Sequence, residues 1–468
     1  DQLFLGTDRI FSNSSISIVL DVVSEFRPHA SEIVQQRRFS IQFFIQNRVT
    51  KLNLSPREFA VDVVRKLTDA GFRALWAGGC VRDLVSGFTP TDYDVATTAT
   101  PDDVRRVFGR KKTVPVGESF GVMLVIGPKS AGTIEVATFR REGEYLDGRR
   151  PNSVEFCTPE EDAHRRDFTI NGMFYDPLTE EILDYVGGRA DLDNKILRCI
   201  GDPEDRFYED KLRMLRAVRF TARFHFQLED RTARAIRKHA PDITVVSVER
   251  IAHELLKMLE HENRRRAVEL ALDLDLWPMI LPEIQLAWPL DRETETRLRI
   301  LDSLRDATPE LALSVLCADL SVRITGELCR RIKLSNDQRE RITWLVENQT
   351  SLERADQLPL HRLKQLLVHP CRRELMELTR TRQFVEHGSS EGYEFCERYL
   401  RETPPGRIDP EPLLTGGDLI HLGLKPGREF KQLLEQVRNA QLDEQVASRD
   451  EALDFVARLR QNPQQDQQ

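Results

Sequence analysis

The apolar tetrapeptide Ala74-Leu75-Trp76-Ala77 runs straight into Gly78-Gly79, and Asp92 and Asp94 follow shortly after. No other stretch restricts the fold as much. A short apolar run ending in glycine reads as a buried strand. A Gly-Gly turn has no Cβ in the way, so its N–H groups can approach phosphate oxygens. In a strand, residues i and i+2 face one side, so Asp92 and Asp94 aim both carboxylates at one point. Phosphate-cradling turn plus paired carboxylates is what metal-assisted phosphoryl or nucleotidyl transfer needs. A lone D-x-D is more often an ordinary polar turn, so the rest of the chain must carry the reading.

Local signals give an α+β chain, with a mixed α/β part first and helices after it. Ser55-Pro56-Arg57-Glu58 combines an N-cap, a proline at the first helical position and a capping-box glutamate, starting a helix that runs towards Gly71. Val122 to Ile126 and Thr133 to Ala137 read as strands around the turn Gly127-Pro128-Lys129-Ser130. From about Pro203 the spacing is helical, as in Leu212, Leu215 and Val218, then Glu249 to Leu259 and Arg265 to Leu274. Asp210 and Arg213, three apart, are expected on one helix face. The 468 residues leave room for about three domains. The expected divisions are 1–54, an N-terminal extension without assigned role; 55–202; 203–275; 276–405; 406–460; and a polar, disordered 461–468.

A net charge of −8 argues against a generally basic nucleic-acid coat. Local patches decide RNA binding, however. From Asp205 to His239 ten Lys/Arg face five Asp/Glu, and Arg105 to Lys112 is a second basic run. Either could be a solvated helix face. Seven scattered cysteines without a CxxC pair read as reduced and cytoplasmic, with no zinc site. No apolar run approaches the ~20 residues of a membrane span, and Ile16 to Val23 has neither that length nor the form of a signal peptide.

Five blocks in order carry a resemblance. They are LWAGGCVRDLVSGFTPTDYDVATTATPDDVRRVF (Leu75 to Phe108), EVATFRREGEYLDGRRPNSVEF (Glu135 to Phe156), EEDAHRRDFTINGMFYD (Glu160 to Asp176), YVGGRADLDNKILRCIGDPEDRFYEDKLRMLRAVRF (Tyr185 to Phe220) and SVERIAHELLKML (Ser247 to Leu259). This order resembles the class II tRNA nucleotidyltransferase and bacterial poly(A) polymerase superfamily. Thr415 to Val437 resembles its tail domain. The resemblance implies a polymerase-β-like nucleotidyltransferase head followed by an all-helical neck, body and tail. It implies two magnesium ions, ATP and CTP as substrates, and the 3′ end of tRNA or another RNA as acceptor. It implies no DNA and no membrane. Relatives that carry a His-Asp hydrolase module do so near residues 290–400, where Leu316-Cys317-Ala318-Asp319 shows no such pair.

Carried over position by position, Asp92 and Asp94 are the metal ligands, and Glu135 is a third catalytic acid. Gly78, Gly79 and Arg82 hold the triphosphate, an arginine fork suiting two phosphate oxygens. Arg165, Arg166 and Asp167 match the ribose motif, in which a carboxylate accepts from a 2′-hydroxyl. Asp210 and Arg213 match the pair that reads the base. Adenine and cytosine each present an amino group to the carboxylate and a ring nitrogen to the arginine, whereas guanine and uracil present a carbonyl. Arg216, Arg219 and Arg223 are the expected RNA contacts.

The choice within the superfamily rests on two stretches. Glu118-Ser119, in Val114 to Leu124, stands where poly(A) polymerases usually carry a basic pair. Arg140 to Arg150 resembles the flexible loop that switches relatives from C to A, which CC-adding relatives have shortened. Both favour CCA or terminal-A addition to tRNA over poly(A) synthesis, the alternative, and leave open cooperation with a separate CC-adding enzyme. An RNA-binding protein with a dead transferase domain would have no need of both metal carboxylates. Transfer to a small molecule would not need the long helical remainder.

Overall fold

The computed structural model describes residues 54–117, 121–142 and 154–461. The extension 1–53, Glu118-Ser119, most of the loop within 140–150 and the segment 462–468 lie outside the described residues. The chain divides into two compact units, one of residues up to Phe139 with Phe174–Ile182, the other of Arg140–Met173 with everything from Leu183. The expected 55–202 segment is thus shared between them, and the divisions at 275/276 and 405/406 fall inside the second.

The first unit is a seven-stranded mixed sheet in the order β3-β4-β5-β2-β1-β8-β9. Its strands are β1 (Ala74–Ala77), β2 (Asp94–Thr97), β3 (Thr113–Gly117), β4 (Val122–Ile126), β5 (Thr133–Thr138), β8 (Phe174–Asp176) and β9 (Glu181–Leu183). Helices α1 (Pro56–Asp69), α2 (Gly79–Val85) and α3 (Pro101–Phe108) accompany it. The capping box at Ser55 and Glu58 forms as expected, and α1 buries Phe59, Ala60, Val63, Val64 and Leu67. Full burial of a valine, leucine or phenylalanine side chain contributes about 1.5–3 kcal/mol. Trp76 is fully buried, its ring 4.7 Å from Tyr93 and 5.5 Å from Tyr175.

The second unit opens with the pair β6 (Arg140–Glu142) and β7 (Val154–Phe156), then α4 (Pro159–His164) and α5 (Gly188–Asp193). Gly188 is fixed by packing: a Cβ there would lie 2.2 Å from the Thr169 carbonyl oxygen. The helical part begins at Pro203 with α6 (Pro203–Glu209), α7 (Leu212–Arg223), α8 (Asp230–His239), α9 (Val248–Glu260) and α10 (Arg264–Asp273). Further helices follow to Gln461. Ten of the twelve residues of α7 are buried, and it packs against α9 and α10. A helix buried nearly all round is a core element, so its arginines need partners inside the protein. Near the end, Leu414, Leu419, Leu433, Val437, Ala452 and Val456 form a separate apolar cluster. Among the described residues no helix is long and apolar enough to cross a membrane.

Candidate active site

In the first unit, topology brings the predicted residues together. β1 pairs antiparallel with β2, placing Ala77 opposite Asp94. β2 pairs in parallel with β5, placing Asp94 opposite Glu135. The Gly78 turn and the three acids therefore gather at one region of the sheet. Directly opposed residues have Cβ atoms ~5 Å apart and share a face. Only Asp94 lies within β2; Asp92 sits in the preceding bend. The alternation still runs through it, with Asp92 exposed, Tyr93 buried, Asp94 exposed and Val95 buried.

Gly78 has φ 71° and ψ −129°, a conformation essentially reserved for glycine, and α2 starts at Gly79. The Arg82 side chain is buried and donates to Asp83 Oδ1 through Nε (2.9 Å) and Nη2 (2.7 Å). Cys80 sits under the turn with its Sγ 3.2 Å from the Ala77 carbonyl. Burial pushes its thiol up to about 11, so it stays protonated and is no nucleophile.

The donor set suits a divalent ion with a taste for oxygen. Magnesium takes one or two carboxylates and leaves the rest of its shell to water and substrate phosphate. Asp92 and Asp94 fit that demand, with Glu135 beside Asp94. Among the described residues no three His, Cys, Asp or Glu form a cage that would hold an ion by protein alone.

The second unit carries the other predicted residues, most of them held by partners within the protein. Arg165 and Arg166 both grip the buried Asp162: Arg165 Nε donates to Oδ1 (2.8 Å), and Arg166 Nε and Nη2 donate to Oδ2 (3.0 Å each). Burial works to raise the Asp162 carboxyl, but Arg166 and Arg165 outweigh it and hold it below the ordinary value.

Asp167 is a hub rather than an open acceptor. Its Oδ2 accepts from Arg216 Nε (2.9 Å) and Nη2 (2.6 Å), and its Oδ1 from Phe168 N (2.8 Å) and Asn171 Nδ2 (3.1 Å). A carboxylate has about four lone-pair positions, and all are in use. A ribose hydroxyl can be accepted only by displacing one of these donors. Burial would raise the carboxyl, yet Arg216 brings it below the ordinary value.

Asp210 and Arg213 do not share a helix face. The helix breaks between them: Asp210 ends α6 with extended φ −145° and ψ 103°, and α7 begins at Leu212. Asp210 Oδ1 accepts from Leu212 N (3.1 Å), and Oδ2 pairs with Arg250 Nη2 (2.7 Å). Arg213 is buried; its Nη1 donates to Glu209 Oε2 (2.6 Å) and the Arg206 carbonyl (3.1 Å), its Nη2 to the Arg165 carbonyl (3.2 Å). Glu209 and Arg250 thus fix the two expected base readers; Glu209 stands four residues before Arg213, whereas Arg250 lies 40 residues beyond Asp210.

Of the expected RNA contacts, Arg219 is turned inward. It is buried in α7, and its Nε donates to Glu254 Oε2 at 2.6 Å. Arg216 is committed to Asp167, with Glu254 3.9 Å away. Arg223, at the end of α7, is exposed.

The first unit thus carries a glycine turn and register-paired acids, and the second a clamped arginine–carboxylate cluster. Residues 74–198 match the family described as "Poly A polymerase head domain", and residues 225–287 the "Probable RNA and SrmB- binding site of polymerase A". The CCA-adding enzyme of Streptococcus mutans is 31% identical over 87% of this chain and 98% of its own length. That of Bacillus subtilis is 44% identical over 47% of this chain, an alignment spanning about half (54%) of the relative. The solved CCA-adding enzyme of Bacillus stearothermophilus in complex with CTP superposes with a TM-score of 0.70 at 28% identity, covering 87% of this chain and 98% of that one. The chain belongs to the class II tRNA nucleotidyltransferase and poly(A) polymerase superfamily, on the side of the CCA-adding enzymes.

Proposed function

We propose that this protein adds CMP and AMP to the 3′ end of tRNA, drawing on CTP and ATP and releasing pyrophosphate. The observation that carries the chemistry is the register of Asp94 against Glu135 beside the Gly78 turn. The likeness to the Streptococcus mutans and Bacillus stearothermophilus CCA-adding enzymes over nearly their full length supports tRNA as acceptor and CCA as product, ahead of poly(A) synthesis. A chain that uses both nucleotides needs no separate CC-adding enzyme. Action on tRNA fits a cytoplasmic protein.

In this reading the RNA 3′-hydroxyl attacks the α-phosphate and the β–α phosphoanhydride bond breaks. Asp92 and Asp94 would hold the two magnesium ions, with Glu135 as the third acid. Bound there, the ions lower the charge cost at the attacking and leaving oxygens. The backbone at Gly78 and Gly79 approaches the triphosphate, and Arg82, braced by Asp83, presents its fork to it. Arg165, Arg166 and Asp167 frame the ribose, whose hydroxyl takes the place of one of the donors on Asp167. Asp210 accepts the exocyclic amino group of C or A, and Arg213 donates to the neighbouring ring nitrogen. Because Arg250 and Glu209 hold them in place, little ordering is left to do on binding, and protein alone selects the base.

The test is incorporation by the purified chain with each of the four nucleoside triphosphates on tRNA lacking CCA. Incorporation of C and A but neither G nor U is expected. Indifference to the base would remove the assignment of Asp210 and Arg213.

A further inference from the structure

The basic run at Arg105 to Lys112 has no part in the chemistry above. Its first half is neutralised, Arg105 pairing with Asp102 and Arg106 with Asp103. The second half is not. Arg110, Lys111 and Lys112 form a single exposed turn, and none of the three has an ion pair among the described residues. The turn leads directly into the edge strand β3.

Register fixes where that turn enters the sheet. Val114 of β3 faces Leu124 of β4, Leu124 faces Glu135 of β5, and Glu135 faces Asp94 of β2. One row across the sheet therefore joins its edge to the catalytic acids, and directly opposed residues share a face. β2 and β5 are parallel, and the antiparallel steps to β4 and on to β3 bring β3 back to the same direction. Asp94 opens β2, Glu135 is second in β5 and Val114 second in β3, so the cationic turn stands at the same end of the sheet as the acids. With strands about 4.8 Å apart, Val114 lies roughly 14 Å from Asp94.

The two faces of these strands differ. Val95, Met123, Val125, Ile134 and Val136 point away from the row and are buried, with α1 and α3 packed on their strands. On the other face Asp94 and Glu135 are exposed. Beside them Val114 is 42% exposed, and Ile126, two residues along β4 from Leu124, is 39% exposed. Leu124 and Val122 are half-buried. Val116, in the bulge that follows Pro115, is 61% exposed. Exposed aliphatic residues scattered singly need no explanation. Val114, Leu124 and Ile126 instead share one side of a hairpin, in line with the acids and next to three unpaired cations.

We propose that the last nucleotides of the acceptor strand lie across this face. Arg110, Lys111 and Lys112 take backbone phosphates, and sugars and bases rest on Val114, Leu124 and Ile126 as the 3′-hydroxyl reaches Asp94. The proposal rests on the reading that the acceptor is RNA, and it adds the direction of approach, from the β3 edge inwards. A cationic track beside a platform for the bases holds a single strand without reading its sequence. An acceptor whose terminal nucleotide changes at each addition needs that tolerance.

The test has two parts, both on the full chain. Steady-state addition of A to tRNA ending in CC gives the KM for RNA and the KM for ATP separately. Lys111→Glu combined with Lys112→Glu, and separately Val114→Asp, should each raise the KM for RNA at least about fivefold with the KM for ATP within about twofold, and the charge reversal should make RNA affinity less dependent on salt. Val322→Asp, at a similarly exposed site in the second unit, should change neither KM. An unchanged KM for RNA in both face variants overturns the proposal. If Val114→Asp also lowers the unfolding midpoint at that unchanged KM, the protein itself covers this face. In the second part, a 4-thiouridine at the third nucleotide from the 3′ end is photocrosslinked and the attached peptide identified. Attachment to β3, β4 or the turn before β3 supports the proposal; attachment in the second unit alone overturns it. Crosslinking needs no turnover, so attachment to this face by a chain that adds no nucleotide would refute the proposed activity and leave the surface standing.

Discussion

Replacing Arg216 by methionine keeps the volume and deletes the charge that faces Asp167. Two of the four hydrogen bonds at this carboxylate vanish, and the bonds from Phe168 and Asn171 remain. Removing one partner of a buried pair costs about 3–5 kcal/mol, and the two surviving donors place the expected loss near the lower end. The pH dependence is more diagnostic than the size. In the intact protein the Asp167 carboxyl lies below its ordinary value because Arg216 outweighs burial. Its contribution is therefore present above the unfolded carboxylate pKa and lost only as pH falls through the lower folded value. Without Arg216, burial dominates and the folded pKa moves above the ordinary one. The variant should then lose stability as pH rises through that value. Urea unfolding followed by circular dichroism from about pH 5 to about pH 8 reads both effects. The variant's deficit should shrink towards the acid end. A midpoint equal to that of the parent, or a deficit that does not depend on pH, would refute this account of the hub.

The other expectations follow from the same contacts. Asp92→Ala and Asp94→Ala should each abolish nucleotide incorporation while leaving tRNA affinity within about twofold, since phosphate contacts to cationic groups set that affinity; incorporation by either variant would remove the metal assignment. Glu209→Gln removes the charge that holds Arg213 at 2.6 Å, and should cost about 1–3 kcal/mol of base discrimination, read as the ratio of kcat/KM for CTP or ATP over UTP or GTP. Gly78→Ala forces a side chain into φ 71°, at about 1–3 kcal/mol, and should raise the KM for nucleotide with little change in tRNA binding; an unchanged KM would mean that the turn does not approach the triphosphate.

What could be read along the chain was local. The capping box at Ser55, strand β1, the β4–β5 hairpin and the onset of helices at Pro203 all follow from neighbouring residues, and α9 and α10 fall within one residue of the spacing argument. The Gly78 turn and the acids stood out because their chemistry is concentrated in a few positions. What escaped was the set of partners. Asp210 is a capping type of residue, but the break at it also goes with an ion pair to Arg250, 40 residues away. Asp167 and Arg216 are 49 residues apart, Arg219 and Glu254 35. An arginine at helical spacing can be a surface charge or a buried tie, and only the packing of α7 between α9 and α10 decides which. The facing of Asp94 and Glu135 likewise depends on a parallel crossover that no single segment encodes.

The central claim is the addition of CCA to tRNA, and it is most directly tested by product sequencing. The purified chain is incubated with CTP and ATP on tRNA lacking CCA, on tRNA ending in CC and on an unstructured oligonucleotide. The account predicts ordered CCA on the first, a single A on the second and little extension of the third. Long A-tails on the oligonucleotide, with CTP left unused, would contradict it.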